Sequence, residues 1–307
     1  MKMNEKDGNK YRGMQAGYGQ PEHAIPLTRA LVCSILPERR DDSHKGTYGR
    51  SLVIGGCGTF AGAALLCTAA CLRTGSGITC AAVPAGIRDE FYCLPEAICI
   101  SCGNGYVWDD KACRDAERAM NGMTAVAVGP GMGDIERFQM IGEILGSGVP
   151  AVIDADGLNC IAKHRELLGL LHEKTVITPH PGEMSRLIGM SVEEILSSPV
   201  KIAMAVSDEY GCAVLLKGSK SYIAQRGIVY RNETGDSSLS KGGSGDILTG
   251  IILSMLAQGL PPLEAACAGS YLLGACGKDA EKLLEKRMLL GRDVIAMISE
   301  TIGDLRL

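Results

Sequence analysis

The run Lys241-Gly242-Gly243-Ser244-Gly245-Asp246 carries the strongest chemical signal in the chain, and it precedes a segment, 244–258, that reads as a helix. The N–H groups in the first turn of a helix have no intrahelical acceptor, and the helix dipole favours negative charge there. Glycines at 242, 243 and 245 let a phosphate approach that backbone without meeting a Cβ. Asp246, beside such an anion cradle, can take a proton from a hydroxyl. A base next to a phosphate cradle is the apparatus of phosphoryl transfer. The plain alternative is a glycine turn in which Asp246 only caps the helix.

Other residues with chemical potential also follow apolar, strand-like runs. Asp154-Ala155-Asp156 would place two carboxylates on one side of an extended segment, able to hold Mg²⁺ through water or to bind a polar group. Equally, Asp156 can cap the next helix. In Thr178-Pro179-His180-Pro181-Gly182-Glu183 the two prolines hold His180 extended, and Pro181 suits a first helical turn. Lys217-Gly218-Ser219-Lys220-Ser221 lacks the spacing of a Walker A loop, but can cradle a phosphate or adenosine group, or be a simple turn. Gly56-Cys57-Gly58-Thr59-Phe60-Ala61 matches the weak GxGxxA dinucleotide pattern without the acidic residue that should end the second strand. Gly129-Pro130-Gly131-Met132-Gly133 is a second glycine turn.

The elements that must position these residues are legible as alternation. Apolar runs at 51–54, 78–83, 97–101, 124–128, 151–153, 175–177 and 213–216 predict strands. Amphipathic stretches at 62–73, 134–145 and 181–188 predict helices between them. A short helix is expected at 27–36, a hairpin from 220–224 and 228–231, and late helices over 244–258, 263–277 and 293–302. This pattern predicts a mainly parallel sheet with helices on both faces, and loops at its C-terminal edge forming the cleft. Residues 1–25 read as a mobile tail and 26–307 as one domain.

Composition narrows the class. The chain of 307 residues has a formal charge of −4, without the basic footprint of a nucleic-acid binder. Aromatics are 4%, so the core must be aliphatic. No apolar run is long enough to span a membrane, and the polar start at residues 1–20 is unlike an export signal; a cytoplasmic protein is expected. The 13 cysteines then read as reduced, mostly buried small hydrophobes, and the lone Cys99-x-x-Cys102 lacks the second pair of a zinc site.

Taken in order, these motifs resemble the NAD(P)H-hydrate dehydratases of the ribokinase-like superfamily. The matching stretches include His44-Lys45-Gly46, Val53-Ile54-Gly55-Gly56, Gly62-Ala63-Ala64, Arg73-Thr74-Gly75-Ser76-Gly77, Gly129 to Gly133, Asp154-Ala155-Asp156, His180-Pro181-Gly182-Glu183, Leu216-Lys217-Gly218 and Gly242 to Asp246. The resemblance implies a three-layer ribokinase-like α/β fold and a hydro-lyase of metabolite repair. Its substrate would be NADHX or NADPHX, with ADP (giving AMP and phosphate) or ATP as phosphoryl donor, ADP being the weak preference, and Mg²⁺ as cofactor. It implies catalysis by Asp246 and substrate contacts at Ala63, Gly133, His180 and Asp246. It implies nucleotide contacts at Lys217, Gly218, Ser219, Lys220, Ser221, Gly242, Gly243, Ser244 and Gly245. It also implies a homo-oligomer, with a tetramer favoured. Some relatives carry an N-terminal epimerase domain for which the short tail here has no room, so a separate epimerase partner, or spontaneous epimerisation, is expected to supply the other epimer. One departure stands out: Asp236 occupies a position where the family often has Asn, and a carboxylate near phosphates is unfavourable unless a cation meets it. Two rivals remain: a small-molecule kinase of the same fold, acting on a vitamin precursor or sugar, and a nucleotide sensor without catalysis, which would be expected to lack the base.

Overall fold

The computed structural model describes Tyr11 and residues 24–306. Strand β1 (Ile25–Pro26) and helix α1 (Arg29–Ile35) lead into β2 (Arg50–Ile54), α2 (Ala61–Thr74), β3 (Ile78–Pro84) and β4 (Ile98–Cys102). Then come α3 (Asp110–Ala119), β5 (Ala125–Val128), α4 (Gln139–Gly146), β6 (Ala151–Ile153), α5 (Ala155–Lys163) and β7 (Thr175–Ile177). Three helices follow, α6 (Pro181–Ile188), α7 (Val192–Ser197) and α8 (Pro199–Tyr210), before β8 (Ala213–Leu216), β9 (Ser221–Gln225) and β10 (Ile228–Asn232). Helices α9 (Ser244–Ala257), α10 (Pro262–Ala280) and α11 (Gly291–Arg306) close the chain.

One sheet of ten strands runs in the order β1-β10-β9-β8-β7-β6-β5-β2-β3-β4. Every neighbouring pair is parallel except those made by β9 with β8 and β10. The β9–β10 hairpin closes over Arg226 and Gly227, both at positive φ, which matches the twist of the two strands.

Period-two alternation sorts the strand side chains into two cores. Leu52, Ile54, Val126, Val128 and Ile153 pack on one face, against α3 to α8. Val53, Ala125, Ala127, Val152 and Val176 pack on the other, against α1, α2, α9, α10 and α11. Small residues on this second face let α9, buried at every position from Ile247 to Ala257, lie close to the sheet. Gly250 brings α9 against α2: a Cβ there would lie 2.1 Å from the Cys67 carbonyl oxygen. The result is the expected three-layer α/β architecture.

Several expectations need correction. The helix predicted over 134–145 begins only at Gln139, because Gly133 sits at positive φ and Ile135 pairs with Trp108 as an isolated bridge. Asp154 and Asp156 do not share an extended segment. Helix α5 starts at Ala155, with φ at +46°, and turns the two carboxylates apart. Cys99 and Cys102 lie three apart on β4, hence on opposite faces, and cannot share one ion. Tyr11, within the stretch expected to be mobile, has a buried ring, and its hydroxyl donates to the Tyr210 oxygen at 2.9 Å.

The turn after β5 is the tightest test of this packing. A Cβ on Gly129, at φ +122°, would lie 1.8 Å from the Asp154 carbonyl oxygen. Gly129→Ala should lower stability by about 3 kcal/mol or more. Gly303→Ala, at a helical site with nothing within 4 Å of the added carbon, should raise it by about 0.5–1 kcal/mol. Urea denaturation of both variants checks the contrast.

Candidate active site

The strands β6, β7 and β8 end side by side and deliver Asp154, Thr178-Pro179-His180 and Lys217 to one edge of the sheet. The N-terminus of α9 arrives at the same edge. Gly243, its N-cap residue, is at φ +99°, a conformation that L side chains rarely adopt.

At the centre is a buried charge cluster. Asp154 is 2% exposed, and both its oxygens are engaged. Lys217 Nζ donates to Oδ1 at 2.7 Å and Thr249 Oγ1 donates to Oδ2 at 2.8 Å. Glu183 Oε2 lies 3.7 Å from the same ammonium. Burial works against the charge on Lys217, but Asp154 and Glu183 together hold its pKa above the usual lysine value. A Cβ on Gly245 would stand 3.6 Å from Lys217 Nζ, so the ammonium lies under the glycine turn.

Asp246 follows that turn. Burial is the main force on its carboxyl and the Asp154 charge adds to it; Lys217 opposes them, and the pKa is pushed up to about 7. The group is thus poised between acid and base near neutrality.

His180 caps α6 in a reciprocal box. Its Nδ1 accepts the N–H bonds of Gly182 at 3.0 Å and Glu183 at 3.3 Å, while Glu183 Oε2 accepts the His180 N–H at 2.8 Å. Two donors on Nδ1 leave the ring proton on Nε2. Burial, with help from Lys217 and Arg186, lowers the ring pKa, so His180 is neutral at pH 7.

Two cavities meet at Lys217, Gly218, Ser244 and Gly245. One, of about 570 Å³, is lined by His180, Gly242, Gly243 and Asp246. The other, of about 430 Å³, is lined by Ser219, Ser221, Asn232, Asp236, Leu248 and Leu273 among others. Most of the expected site residues therefore converge. Lys220 does not: its ammonium pairs with Glu233 Oε1 at 2.6 Å, away from both cavities. Gly133 lines a separate depression and donates its N–H to Asp156 Oδ2 at 2.8 Å, which replaces the expected cap by Asp156. Ala63 packs against Gly131, where a Cβ would come within 2.7 Å of it.

The GxGxxA turn is not an open phosphate loop. Gly56 donates its N–H to the Pro130 carbonyl at 2.7 Å, and Trp108 Nε1 seals the Gly56 carbonyl at 2.7 Å. Sequence reasoning missed Thr249 and Glu183 as partners of the cluster. Thr249 carries no motif signal, being recognisable only as the residue one helical turn beyond Asp246.

No direct metal-ligand set exists among the described residues. Both oxygens of Asp154 are taken, and Asp156 is held by Gly133 and by Asn159 Nδ2 at 3.2 Å. Neither offers a free carboxylate edge for direct coordination, so the donor set fits a cation carried on phosphates and reached through water.

A mainly parallel sheet with helices on both faces, carrying a glycine turn, a raised-pKa carboxyl and a buried lysine at one edge, is a ribokinase-like fold. The chain belongs to the NAD(P)H-hydrate dehydratase family, whose model matches residues 51–299. It is 35% identical over 261 residues to an ADP-dependent (S)-NAD(P)H-hydrate dehydratase of Neisseria meningitidis, covering 84% of this chain and 86% of the relative. It is 36% identical over 291 residues to a bifunctional NAD(P)H-hydrate repair enzyme of Moorella thermoacetica, covering 91% of this chain but only 54% of that relative. Among solved structures, an ADP/ATP-dependent NAD(P)H-hydrate dehydratase of Bacillus subtilis, co-crystallised with ATP and Mg²⁺, superposes with a TM-score of 0.78 at 28% identity, over 92% of this chain and 99% of the other.

The raised pKa of Asp246 has a consequence for stability. Between about pH 4 and pH 7 the folded state holds a proton that the unfolded state has lost, so stability falls as pH rises through that window. Asp246→Asn removes the buried charge and should stabilise the fold at pH 8 by on the order of 2 kcal/mol, with little effect at pH 4. Thermal or urea unfolding at the two pH values checks the sign.

Proposed function

We infer that the chain returns hydrated dihydronicotinamide dinucleotides to NAD(P)H, using a nucleoside polyphosphate to activate the hydroxyl. The observation that carries this reading is Asp246: a carboxyl poised at about 7, one residue beyond the glycine cradle, where the two cavities meet. The smaller cavity takes the nucleotide, with Lys217, Gly218, Ser219, Ser221, Ser244 and Gly245 as its contacts, and its terminal phosphate reaches Gly242 and Gly243 in the adjoining cavity. The larger one takes the hydrated ring, beside His180.

The ionised Asp246 carboxylate accepts the proton of the added hydroxyl. That oxygen attacks the terminal phosphorus, and the bond from phosphorus to the bridging oxygen breaks, releasing AMP from ADP or ADP from ATP. Helix-terminal N–H groups and Lys217 balance the charge that develops on the phosphoryl oxygens. The ring C–O bond then breaks, phosphate leaves with the electron pair, and loss of a proton from the adjacent ring carbon restores the double bond. Phosphorylation converts hydroxide, a poor leaving group, into phosphate, a good one. His180, neutral with its proton on Nε2, offers a hydrogen bond to the substrate without adding charge.

Mg²⁺, carried on the nucleotide, would neutralise the phosphates and meet Asp154 and Asp156 only through water. A separate epimerase would supply the reactive epimer. The exposed side chains Phe60, Tyr92, Ile98, Tyr106 and Val107 around the edge strand β4 support assembly with further copies. Thirteen free cysteines support a reducing, cytoplasmic setting, and no helix among the described residues is long and apolar enough to cross a membrane.

The test is incubation with NADHX, Mg²⁺ and either ADP or ATP, following the NADH absorbance band. Nucleotide-dependent recovery is expected, with kcat/KM rising through about pH 7 as Asp246 loses its proton. Asp246→Asn should lower it by roughly a thousandfold. A folded chain that binds nucleotide but recovers no NADH would contradict the reading and favour a small-molecule kinase.

A further inference from the structure

Asp236 is the residue that the site leaves unexplained. It lines the same cavity as Lys217, Ser244 and Gly245, where a polyphosphate would suffer from a neighbouring carboxylate. The structure supplies a partner from 50 residues away. Lys286 Nζ lies 2.6 Å from Asp236 Oδ2, while Oδ1 accepts the Ser238 N–H at 2.8 Å. The same ammonium stands 3.7 Å from Glu281 Oε1, so one cation serves two carboxylates. Its hydrogen bond to Asp236 is the main cause holding that carboxyl well below the usual range, which keeps it ionised at neutral pH.

The segment carrying Lys286 is fixed to the cavity wall from the other side as well. Lys241, at the head of the glycine turn, donates to the carbonyls of Arg287 and Leu289, both at 2.5 Å. Leu289 itself is buried in the core. The segment that carries Lys286 is thus tied to the residue that precedes the glycine turn. Its pair with Asp236 is part-exposed, and such pairs contribute little to folding. The effect of the pair should fall instead on an anion bound beside it.

We propose that Lys286 is a positioning residue for the nucleotide: by neutralising Asp236 it makes this wall of the cavity compatible with a polyphosphate. The inference rests on the nucleotide reading of the cavity. It also accounts for a chain that can keep Asp at position 236, because the compensating charge comes from the loop before α11.

The experiment is calorimetric titration of the full chain with ADP and with ATP, at low and at high salt, without the hydrated dinucleotide. Lys286→Met should weaken ADP binding by roughly fivefold and ATP, with its additional charge, by more; high salt should shrink both losses. Lys286→Arg should bind as the parent does. Adding Asp236→Asn to Lys286→Met should restore affinity, which a loss of packing would not allow. Unchanged affinity in Lys286→Met overturns the proposal, and so does a loss that Asp236→Asn fails to relieve. A parent chain that binds neither nucleotide overturns both this proposal and the reading beneath it. The full binding pattern without NADH recovery in the turnover assay overturns the dehydratase reading alone.

Discussion

The site depends on the buried pair of Asp154 and Lys217. Asp154 sits at the end of β6 with no solvent to stabilise its charge, so its two oxygens must be satisfied by protein. Lys217 comes from 63 residues away and Thr249 from 95, so one carboxylate ties β6, β8 and α9 together. Removing one partner from such a pair strands a charge in the interior, at a cost of about 3–5 kcal/mol. The pair therefore constrains the fold at the strand edge where the proposed chemistry would occur.

From that constraint the electrostatics of Asp246 follow. Burial does most to raise the proton affinity of Asp246, and the same carboxylate that anchors Lys217 adds to it. Lys217 pulls in the opposite sense, and the carboxyl pKa comes to about 7. The base of the proposed reaction must match the pH at which it works, and a surface aspartate would be too weak. Glycine at 243 lets this arrangement close up, because it readily takes the αL turn at φ +99°, where a Cβ would meet Leu66 at 2.6 Å.

Much of this was legible in the sequence, because strand-end glycines, the capped His180 turn and the Gly242–Asp246 cradle are local features. Apolar periodicity likewise identified seven strands and most helices near their observed bounds. What stayed hidden is non-local. Nothing in the chain near Asp154 announces Thr249, and Asp236 gives no hint of Lys286. Local competition hid other features. Helix α4 starts late because Gly133 and the bridge from Trp108 to Ile135 hold its first predicted turn in another conformation. Helix α3 was missed because its buried face consists of Ala112, Cys113 and Ala116, too small to stand out as an apolar stripe. Helix α7 did carry a signal, the box of Ser191 and Glu194.

The central claim is that burial and Asp154 together set Asp246 for proton transfer. A ¹³C carboxyl NMR titration of the aspartates, with Asp246 assigned from Asp246→Asn, measures this directly. The account predicts an Asp246 midpoint at about 7, falling in Asp154→Asn. A midpoint at the ordinary carboxylate value of about 4 in the folded parent chain would contradict it.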